Sequence, residues 1–274
     1  MAAVLDQKIS LNDGHEMPCL GLGTYKARSG SEVEEAVTWA LERGYRSIDT
    51  AAFYRNEDGV GRAIAGSDIP RDELFVTSKV WNSDQGYDRA LRAFDQSLAE
   101  LGLEYLDLYL IHWPLPDQFI DTWKALMELK RSGRVRSIGV SNFQVHHLQT
   151  LMEHGTPAVN QVECHPYLSQ QELRRFCKTH DIVVEAWSPI ARGEVVGDST
   201  LRAIGEHYGK SEVQVTLRWQ IDAGLVTIPK STHKDRISHN ADIFDFRLTQ
   251  SELERIEGLN RDYRIGPHPD RINF

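Results

Sequence analysis

The segment YRSIDTAAFY, residues 45–54, has the pattern of a strand followed by a loop that brings Asp49 and Tyr54 close together. Two later apolar runs of strand length also stop at an ionisable side chain: LFVTSKV at 74–80 with Lys79, and LDLYLIHW at 106–113 with His112. In a parallel barrel, polar side chains at the carboxyl ends of successive strands meet at one rim. The pattern therefore predicts a barrel whose chemistry lies at that rim.

The same unit, a strand followed by a helix, recurs along the chain. We predict strands at residues 19–25, 45–50, 74–80, 106–113, 136–142, 158–163, 181–189 and 225–231. Helices with apolar residues at helical spacing are predicted between them, at 31–43, 57–65, 88–101, 121–133, 144–155 and 170–180. Further helical stretches flank the last strand, at 199–208, 211–222, 234–243 and 249–259.

Eight strand–helix units joined by short connections predict an α/β fold, a (β/α)8 TIM barrel with extra helices, rather than an open sheet. Residues 8–17, centred on Asp13 and Gly14, carry the signal of a two-residue β-hairpin that would close the bottom of the barrel. Because no change in composition marks a boundary, we expect residues 1–274 to form a single barrel domain.

The composition limits the class of protein. The 274 residues are 41% hydrophobic and 26% charged, as in an ordinary soluble protein. A net charge of -9 argues against nucleic acid as a partner. No signal peptide pattern is visible, and no apolar run approaches the roughly 20 residues that span a bilayer, so we expect a cytoplasmic protein without a membrane partner. The cysteines show neither disulfide nor metal spacing, and no metal site is predicted.

The four strand-end residues form a coherent acid–base set if they converge. The Lys79 ammonium would lower the pKa of Tyr54, and Asp49 would keep that ammonium charged. Tyr54 would then protonate a carbonyl oxygen that His112 holds by a hydrogen bond, while a cofactor hydride attacks the carbon. Taken singly, an Asp–Lys pair is more often structural and a strand histidine more often a core residue. Their joint occurrence at successive strand ends favours a catalytic site.

Six motifs, in the same order along the chain, resemble those of the aldo-keto reductases. They are GYRSIDTAAFYRNE (44–57), TSKVWN (77–82), DLYLIHWP (107–114), SIGVSNF (137–143), NQVECHP (160–166) and IPKSTHKDRISHN (228–240). The chain is most similar to the bacterial branch that includes the 2,5-diketo-D-gluconate reductases, and its ending GPHPDRINF (266–274) resembles that branch too. The resemblance covers nearly the whole chain.

The resemblance implies an oxidoreductase that binds NADPH (NADP+) across the barrel rim without a Rossmann fold. Tyr54 would be the proton donor, with Asp49, Lys79 and His112 completing the catalytic set. Besides Asp49, the rim residues implied to hold the cofactor are Gly23, Thr24, Ser141, Asn142, Gln161, Trp187, Ser188, Pro189, Ile190, Gly193 and Glu194. Among them, the hydroxyl and amide groups of Ser141, Asn142 and Gln161 suit the nicotinamide carboxamide, and Trp187 would stack on the ring.

A local basic cluster in this acidic chain supports NADPH independently of the family. Lys230, Ser231, Thr232 and Arg236 follow the last strand and lead into a helix N-terminus, a favourable position for a phosphate. The alternative is a solvated helix start without a ligand. The resemblance assigns the 2′-phosphate to this cluster and the adenine to His239 and Asn240.

Aromatic residues on the rim loops resemble the walls of a substrate pocket for a small carbonyl compound. The implied substrate contacts are Tyr25, Phe53, Tyr54, Trp81, His112 and Trp113. The candidates are 2,5-diketo-gluconate, methylglyoxal, β-keto esters and simple aldehydes, and the family implies a monomer. Two alternatives stay open: an NADPH-binding regulatory barrel with little turnover, and an aldolase that forms a Schiff base on Lys79.

Overall fold

The computed structural model describes residue 5 and residues 7–272. It begins with a hairpin of two antiparallel strands, β1 (Lys8–Ser10) and β2 (Glu16–Pro18). The hairpin prediction is confirmed, but its two-residue turn is wrong: Ser10 pairs with Glu16, so five residues connect the strands. Leu11, at the start of this connection, belongs to an apolar cluster inside the barrel.

Eight parallel strands follow in a single sheet in which each strand pairs with the next along the chain. They are β3 (Leu22–Gly23), β4 (Ser47–Asp49), β5 (Phe75–Val80), β6 (Leu106–Ile111), β7 (Val135–Ser141), β8 (Val159–Glu163), β9 (Val183–Trp187) and β10 (Val226–Thr227). Parallel bridges from Leu20 to Thr227 and from Gly23 to Lys230 join the first strand to the last. The predicted (β/α)8 barrel is confirmed.

Ten α-helices occur in the described part of the chain. They are α1 (Ser31–Arg43), α2 (Glu57–Ala65), α3 (Tyr87–Leu101), α4 (Phe119–Arg131), α5 (Val145–Met152), α6 (Gln171–Thr179), α7 (Ser199–Tyr208), α8 (Glu212–Asp222), α9 (Lys234–Ala241) and α10 (Gln250–Glu257). Their apolar faces pack on the outside of the sheet and form the larger of two buried clusters. None of the described helices is long and apolar enough to cross a membrane.

The smaller apolar cluster fills the lower barrel, where the hairpin closes it. Its members are Leu11, Met17, Phe75, Leu108, Leu110, Ala158, Val159, Val183 and Val226. Side chains alternate along a strand, so residues two positions further on share the inward face. On β8 and β9 the residues two positions after Val159 and Val183 are Gln161 and Glu185, and both are buried. The barrel interior is therefore apolar below and polar towards the rim.

Candidate active site

A cavity of about 610 Å³ opens at the carboxyl ends of the strands. Most residues predicted for the site line this cavity: Gly23, Tyr25, Asp49, Phe53, Tyr54, Trp81, His112, Trp113, Ser141, Asn142, Gln161, Trp187, Ser188, Pro189, Ile190, Gly193, Lys230 and Arg236. A slightly larger groove of about 770 Å³ lies at the opposite side of the fold, beside the hairpin. The chemistry-bearing side chains lie in the first cavity, so that cavity is the candidate site.

Lys79 and Asp49 form a buried ion pair beneath the cavity. The Lys79 ammonium donates to both carboxylate oxygens of Asp49 and to the carbonyl oxygen of Thr50, each at 2.8 Å. Burial alone would lower the pKa of Lys79, but the neighbouring Asp49 carboxylate and Tyr54 raise it above its usual value. Lys79 is therefore a fixed positive charge at neutral pH.

Tyr54 lies between this ion pair and the cavity. It ends a short 3-10 turn (Ala52–Tyr54) that follows β4, and the Lys79 ammonium donates to its hydroxyl oxygen at 3.4 Å. Burial raises the pKa of Tyr54 to about 12, while Lys79 acts in the opposite direction. The expectation of a pKa below the ordinary value is wrong here, because the sequence shows the cation but not the desolvation. Tyr54 is fully protonated at neutral pH.

His112 lines the cavity as a neutral imidazole. Burial, reinforced by the Lys79 charge, holds the pKa of His112 well below its usual range. Its ring makes edge contacts with the rings of Tyr54 and Trp81, at centroid distances of 5.7 Å and 5.1 Å. Phe53 stacks on Trp81 at 3.8 Å, so aromatic rings form one wall beside the imidazole. The arrangement leaves His112 able to donate a hydrogen bond without carrying a charge.

Amide and hydroxyl groups tie the rims of neighbouring strands together beside the ion pair. Asn142, held in the left-handed region at φ +66°, donates to the carbonyl oxygen of His112 at 3.0 Å. Its side-chain oxygen accepts from the indole N–H of Trp187 at 2.8 Å. The Ser141 hydroxyl donates to the backbone oxygen of Gln161 at 2.9 Å. The polar groups that the sequence predicted for a carboxamide partner thus lie together at one side of the cavity.

Two cations mark the far end of the cavity. Lys230 and Arg236 are exposed, line the cavity, and have no salt-bridge partner among the described residues. The Ser231 hydroxyl accepts from the backbone N–H of His233, the residue before α9, at 3.1 Å. Unpaired cations beside a helix N-terminus fit a phosphate.

Some predicted residues lie behind the cavity wall or beside it. Thr24 is buried, and its hydroxyl donates to the backbone oxygen of Asp49 at 2.9 Å. Lys79 is buried beneath the cavity and reaches it through its contact with the Tyr54 hydroxyl. The remaining predicted residues outside the wall are Glu194, Ser231, Thr232, His239 and Asn240. Of these, Glu194 is exposed on the loop after β9, and Asn240 is buried on α9.

The structure also brings residues to the cavity that sequence reasoning missed. They are Lys26, Arg192 and Ile228. Lys26 and Arg192 are exposed cations in the left-handed region, with φ of 63° and 53°. Each stands next to residues already predicted for the site, so its charge was a usable signal. Pro267, from the tail, also lines the cavity.

The tail is held over the cavity by one buried carboxylate. Glu163, at the end of β8, accepts from the backbone N–H groups of Ile265 and Gly266 at 2.6 Å and 3.0 Å. The Arg264 guanidinium lies 3.5 Å from the same carboxylate. These contacts fix the segment that delivers Pro267 to the wall.

The model of the Aldo/keto reductase family matches residues 19–261. The chain belongs to the aldo/keto reductase family. It is 52% identical over its full length to the whole of the glyoxal reductase of Bacillus subtilis (strain 168). It is 47% identical to the methylglyoxal reductase DkgA of Escherichia coli (strain K12), over 96% of this chain and 97% of that protein.

Solved aldo-keto reductase structures agree with this fold. A variant of Gox0644 in complex with NADPH superposes with a TM-score of 0.93 at 43% identity, covering 98% of this chain and 99% of that chain. An aldo-keto reductase of Bombyx mori in complex with NADP superposes with a TM-score of 0.90 at 40% identity, covering 98% and 97%. The predicted family is confirmed.

Proposed function

We propose that this aldo-keto reductase uses NADPH to reduce small aldehydes and ketones to alcohols, with Tyr54 as the proton donor. The observation that carries the proposal is the Tyr54 hydroxyl at the cavity wall. It accepts a hydrogen bond from the Lys79 ammonium at 3.4 Å, and Asp49 fixes that ammonium. Because Lys79 occupies a lone pair of the Tyr54 oxygen, the phenolic hydrogen is free to point into the cavity.

The proton transfer follows from the charges around Tyr54. With a pKa raised to about 12, Tyr54 keeps its proton until a stronger base, a carbonyl oxygen gaining negative charge, accepts it. The tyrosinate that results lies beside the Lys79 ammonium, which stabilises it. Asp49 and the Thr50 carbonyl hold that ammonium in place throughout, so little rearrangement accompanies the transfer.

His112 supplies a second, neutral contact to the same oxygen. A charged imidazolium would compete with Tyr54 as the acid. The lowered pKa of His112 keeps its ring uncharged at neutral pH. The ring can therefore orient the carbonyl by a hydrogen bond without taking over the proton transfer. The stacked Phe53 and Trp81 rings hold the apolar part of a small substrate.

The residues present fit the cofactor. When bound, NADPH supplies the hydride that reduces the carbonyl carbon. Ser141, Asn142 and Gln161 would hold its carboxamide, and Trp187 its ring. Lys230 and Arg236 would bind the 2′-phosphate, since both are exposed cations without a salt-bridge partner among the described side chains. Arg192, on the loop after β9, adds a third cation to the same cavity.

Small dicarbonyl compounds are the substrates that we propose first. The similar proteins named above are a glyoxal reductase and a methylglyoxal reductase. A cavity of about 610 Å³ leaves room for larger compounds, so 2,5-diketo-gluconate, β-keto esters and simple aldehydes belong in the same test. We propose that the active form is a monomer, as the resemblance to the family implies.

The test is the loss of NADPH absorbance by the purified protein with glyoxal, methylglyoxal, 2,5-diketo-gluconate, a β-keto ester and a simple aldehyde. A Tyr54→Phe protein prepared in parallel controls for contaminating reductases. We expect turnover with NADPH that depends on the added carbonyl compound and is lost in the variant.

Two results would contradict the proposal. Tight NADPH binding with no turnover of any substrate would support a regulatory barrel. Failure to bind NADPH, together with borohydride trapping of a carbonyl compound on Lys79, would support the Schiff-base aldolase. The structure gives that second alternative little support, because Lys79 is fully buried and its raised pKa keeps the amine protonated.

A further inference from the structure

A buried carboxyl group in the barrel, Glu185, has no role in the proposed function. It lies on β9, directly opposite Gln161 in the register of β8, and is completely inaccessible to solvent. One carboxyl oxygen accepts from the side-chain N–H of Gln161 at 2.7 Å. The other oxygen is buried and has no hydrogen-bond partner in the described part of the chain. A carboxyl group so placed is costly, which calls for a functional reason.

Gln161 links Glu185 to the catalytic ion pair. Its amide nitrogen donates to Asp49 at 2.8 Å and to Glu185 at 2.7 Å, so both of its N–H bonds are used inside the barrel. The opposite orientation of the amide would place its oxygen against two carboxyl groups. Gln161 also lines the cavity, and its side-chain oxygen is the one polar atom of the amide left to face a ligand.

We propose that Glu185 is a positioning residue: together with Asp49 it holds both N–H bonds of Gln161, so that Gln161 presents its carbonyl oxygen to the N–H of the nicotinamide carboxamide. The inference rests on the proposed use of NADPH. It adds a residue one layer below the cavity wall, which touches neither cofactor nor substrate.

The charge state of Glu185 suits this role. Burial, with the Asp49 charge adding to it, raises the pKa of Glu185 to about 8, and Gln161 and Lys79 oppose that shift only in part. The raised pKa favours the neutral acid, which still offers an acceptor oxygen to Gln161. A second anion here would act against the Lys79 charge on which Tyr54 depends.

Other buried carboxyl groups in the barrel are already accounted for. Glu57 accepts hydrogen bonds from Ser78 and Ser97 and does not line the catalytic cavity. Asp107 lies between two arginines at the lower end of the sheet. Glu185 differs because its hydrogen-bond partner among the described residues is a cavity residue. Structural satisfaction alone does not explain it.

The test compares two ligands that differ at the contact in question. NADP+ carries a carboxamide, whereas its 3-acetylpyridine analogue keeps the carbonyl group but lacks the N–H donor. Dissociation constants are measured by quenching of tryptophan fluorescence at pH 7, without turnover. In the wild type NADP+ should bind more tightly than the analogue. In Glu185→Leu the ratio of the two constants should fall about fivefold, the worth of one neutral hydrogen bond.

Glu185→Gln is the conservative rescue, since it keeps an acceptor oxygen in a neutral group. It should retain the wild-type ratio of dissociation constants at pH 7. A fall in Glu185→Gln as large as that expected for leucine would overturn the proposal, because a negative charge and not an acceptor would then be needed. An unchanged ratio in Glu185→Leu would overturn it as well.

If Glu185→Leu does not fold, the ratio measured for Glu185→Gln still decides the proposal, and a spectroscopic measurement tests the charge state of Glu185 separately. The infrared carbonyl band of a protonated carboxyl group should be present at neutral pH, decrease as the pH rises through about 8, and be absent from Glu185→Gln. It should persist in the matched control Glu57→Gln. Absence of this band at neutral pH would show that Glu185 is not in its neutral form. Failure of the wild type to reduce any carbonyl compound would instead count against the proposed function.

Discussion

At the scale of single residues, the site depends on the contrast between Tyr54 and His112. Both line the cavity, and both are desolvated, but burial acts on their pKa values in opposite directions. Tyr54 keeps its proton, and His112 loses the second proton that would make it a competing acid. One group is left to give a proton and the other to orient the acceptor.

Tyr54→Phe removes the proposed acid and little else. We expect kcat to fall by roughly 10²–10⁴-fold, the usual worth of a general acid, with an unchanged dissociation constant for NADPH. Steady-state kinetics and fluorescence titration measure the two quantities. Tyr87→Phe, at an exposed tyrosine on α3, is the matched control. Wild-type turnover in Tyr54→Phe would exclude Tyr54 as the acid.

Glu185→Gln should change how stability depends on pH. A free glutamate ionises near pH 4.5, whereas burial raises the pKa of Glu185 to about 8. Between these values the unfolded chain has released a proton that the folded chain keeps, so wild-type stability falls as pH rises. The Glu185→Gln variant has no ionisable group at this position, so its stability does not fall in this way. Its stability relative to the wild type should rise across that window, by on the order of a few kcal/mol at the alkaline end.

Urea unfolding of the two proteins across that pH range measures the difference. A constant offset from the acidic to the alkaline end would show that Glu185 titrates normally and would contradict the expectation. The Glu57→Gln protein shows how much of any trend another buried glutamate contributes.

At the scale of elements, the end of β10 and the start of α9 together present the cations of the proposed 2′-phosphate site. Lys230→Met should weaken NADPH binding about tenfold or more, since a charge-assisted hydrogen bond is worth roughly 1.5–3 kcal/mol. NADH, which lacks this phosphate, should bind unchanged. Lys234→Met is the control, because Lys234 is exposed in the first turn of α9 and pairs with Glu42. Equal weakening of NADPH and NADH binding would show that Lys230 does not bind the 2′-phosphate.

The tail is a second element with a defined contact at the site. A Cβ atom at Gly266 would lie 2.4 Å from the indole of Trp187 and 3.0 Å from the Glu163 carboxylate. Gly266→Ala should therefore displace the tail, lower the stability by about 1–3 kcal/mol and raise KM for the carbonyl substrate. Gly258→Ala, where the nearest atom is 3.4 Å away, is the matched control. Identical kinetics for Gly266→Ala and the wild type would show that the tail does not shape the site.

A histidine cluster holds the end of this tail against α5. His146 and His147 lie 3.2 Å and 3.5 Å from the Asp270 carboxylate. The Nδ1 atom of His147 accepts from the backbone N–H of Gln144 at 3.1 Å, so its neutral ring carries the hydrogen at Nε2, on the Asp270 side. That tautomer suits a hydrogen bond to the carboxylate and opposes metal binding at the same nitrogen.

The elements that were easiest to predict are those with a strong local period. Helix α2 has the predicted bounds, 57–65, because its apolar spacing and flanking polar residues are local features. The first strand, predicted at 19–25, is reduced to Leu22–Gly23, and outside it Leu20 forms an isolated bridge to Thr227 that helps to close the barrel. Such closure depends on a partner some 200 residues away.

The same distinction applies to the site. Asp49 and Lys79 were found because each lies at the end of a recognisable strand, and Tyr54 because it lies in the loop that follows one. The coupling of Glu185 to Gln161 and the desolvation of Tyr54 both depend on packing between distant segments. No local pattern in the sequence reports how deeply a side chain is buried.

At the scale of the whole molecule, charge is unevenly distributed. The chain carries a net charge of -9, yet Lys26, Arg192, Lys230 and Arg236 all line the candidate site. An anionic cofactor is therefore attracted to one cavity and repelled by much of the remaining surface. This arrangement favours a phosphate-bearing ligand in an acidic protein.

We propose that the whole chain is one cooperative domain, and unfolding tests this. Bridges between Leu20 and Thr227 and between Gly23 and Lys230 join the two ends of the barrel, and the outer apolar cluster runs from Cys19 to Ile256. Loss of either end therefore opens the barrel and exposes the same core. Calorimetry should show a single transition, with coincident midpoints for tryptophan fluorescence and far-ultraviolet circular dichroism. Two transitions, or midpoints that differ between the probes, would divide the chain into separate units.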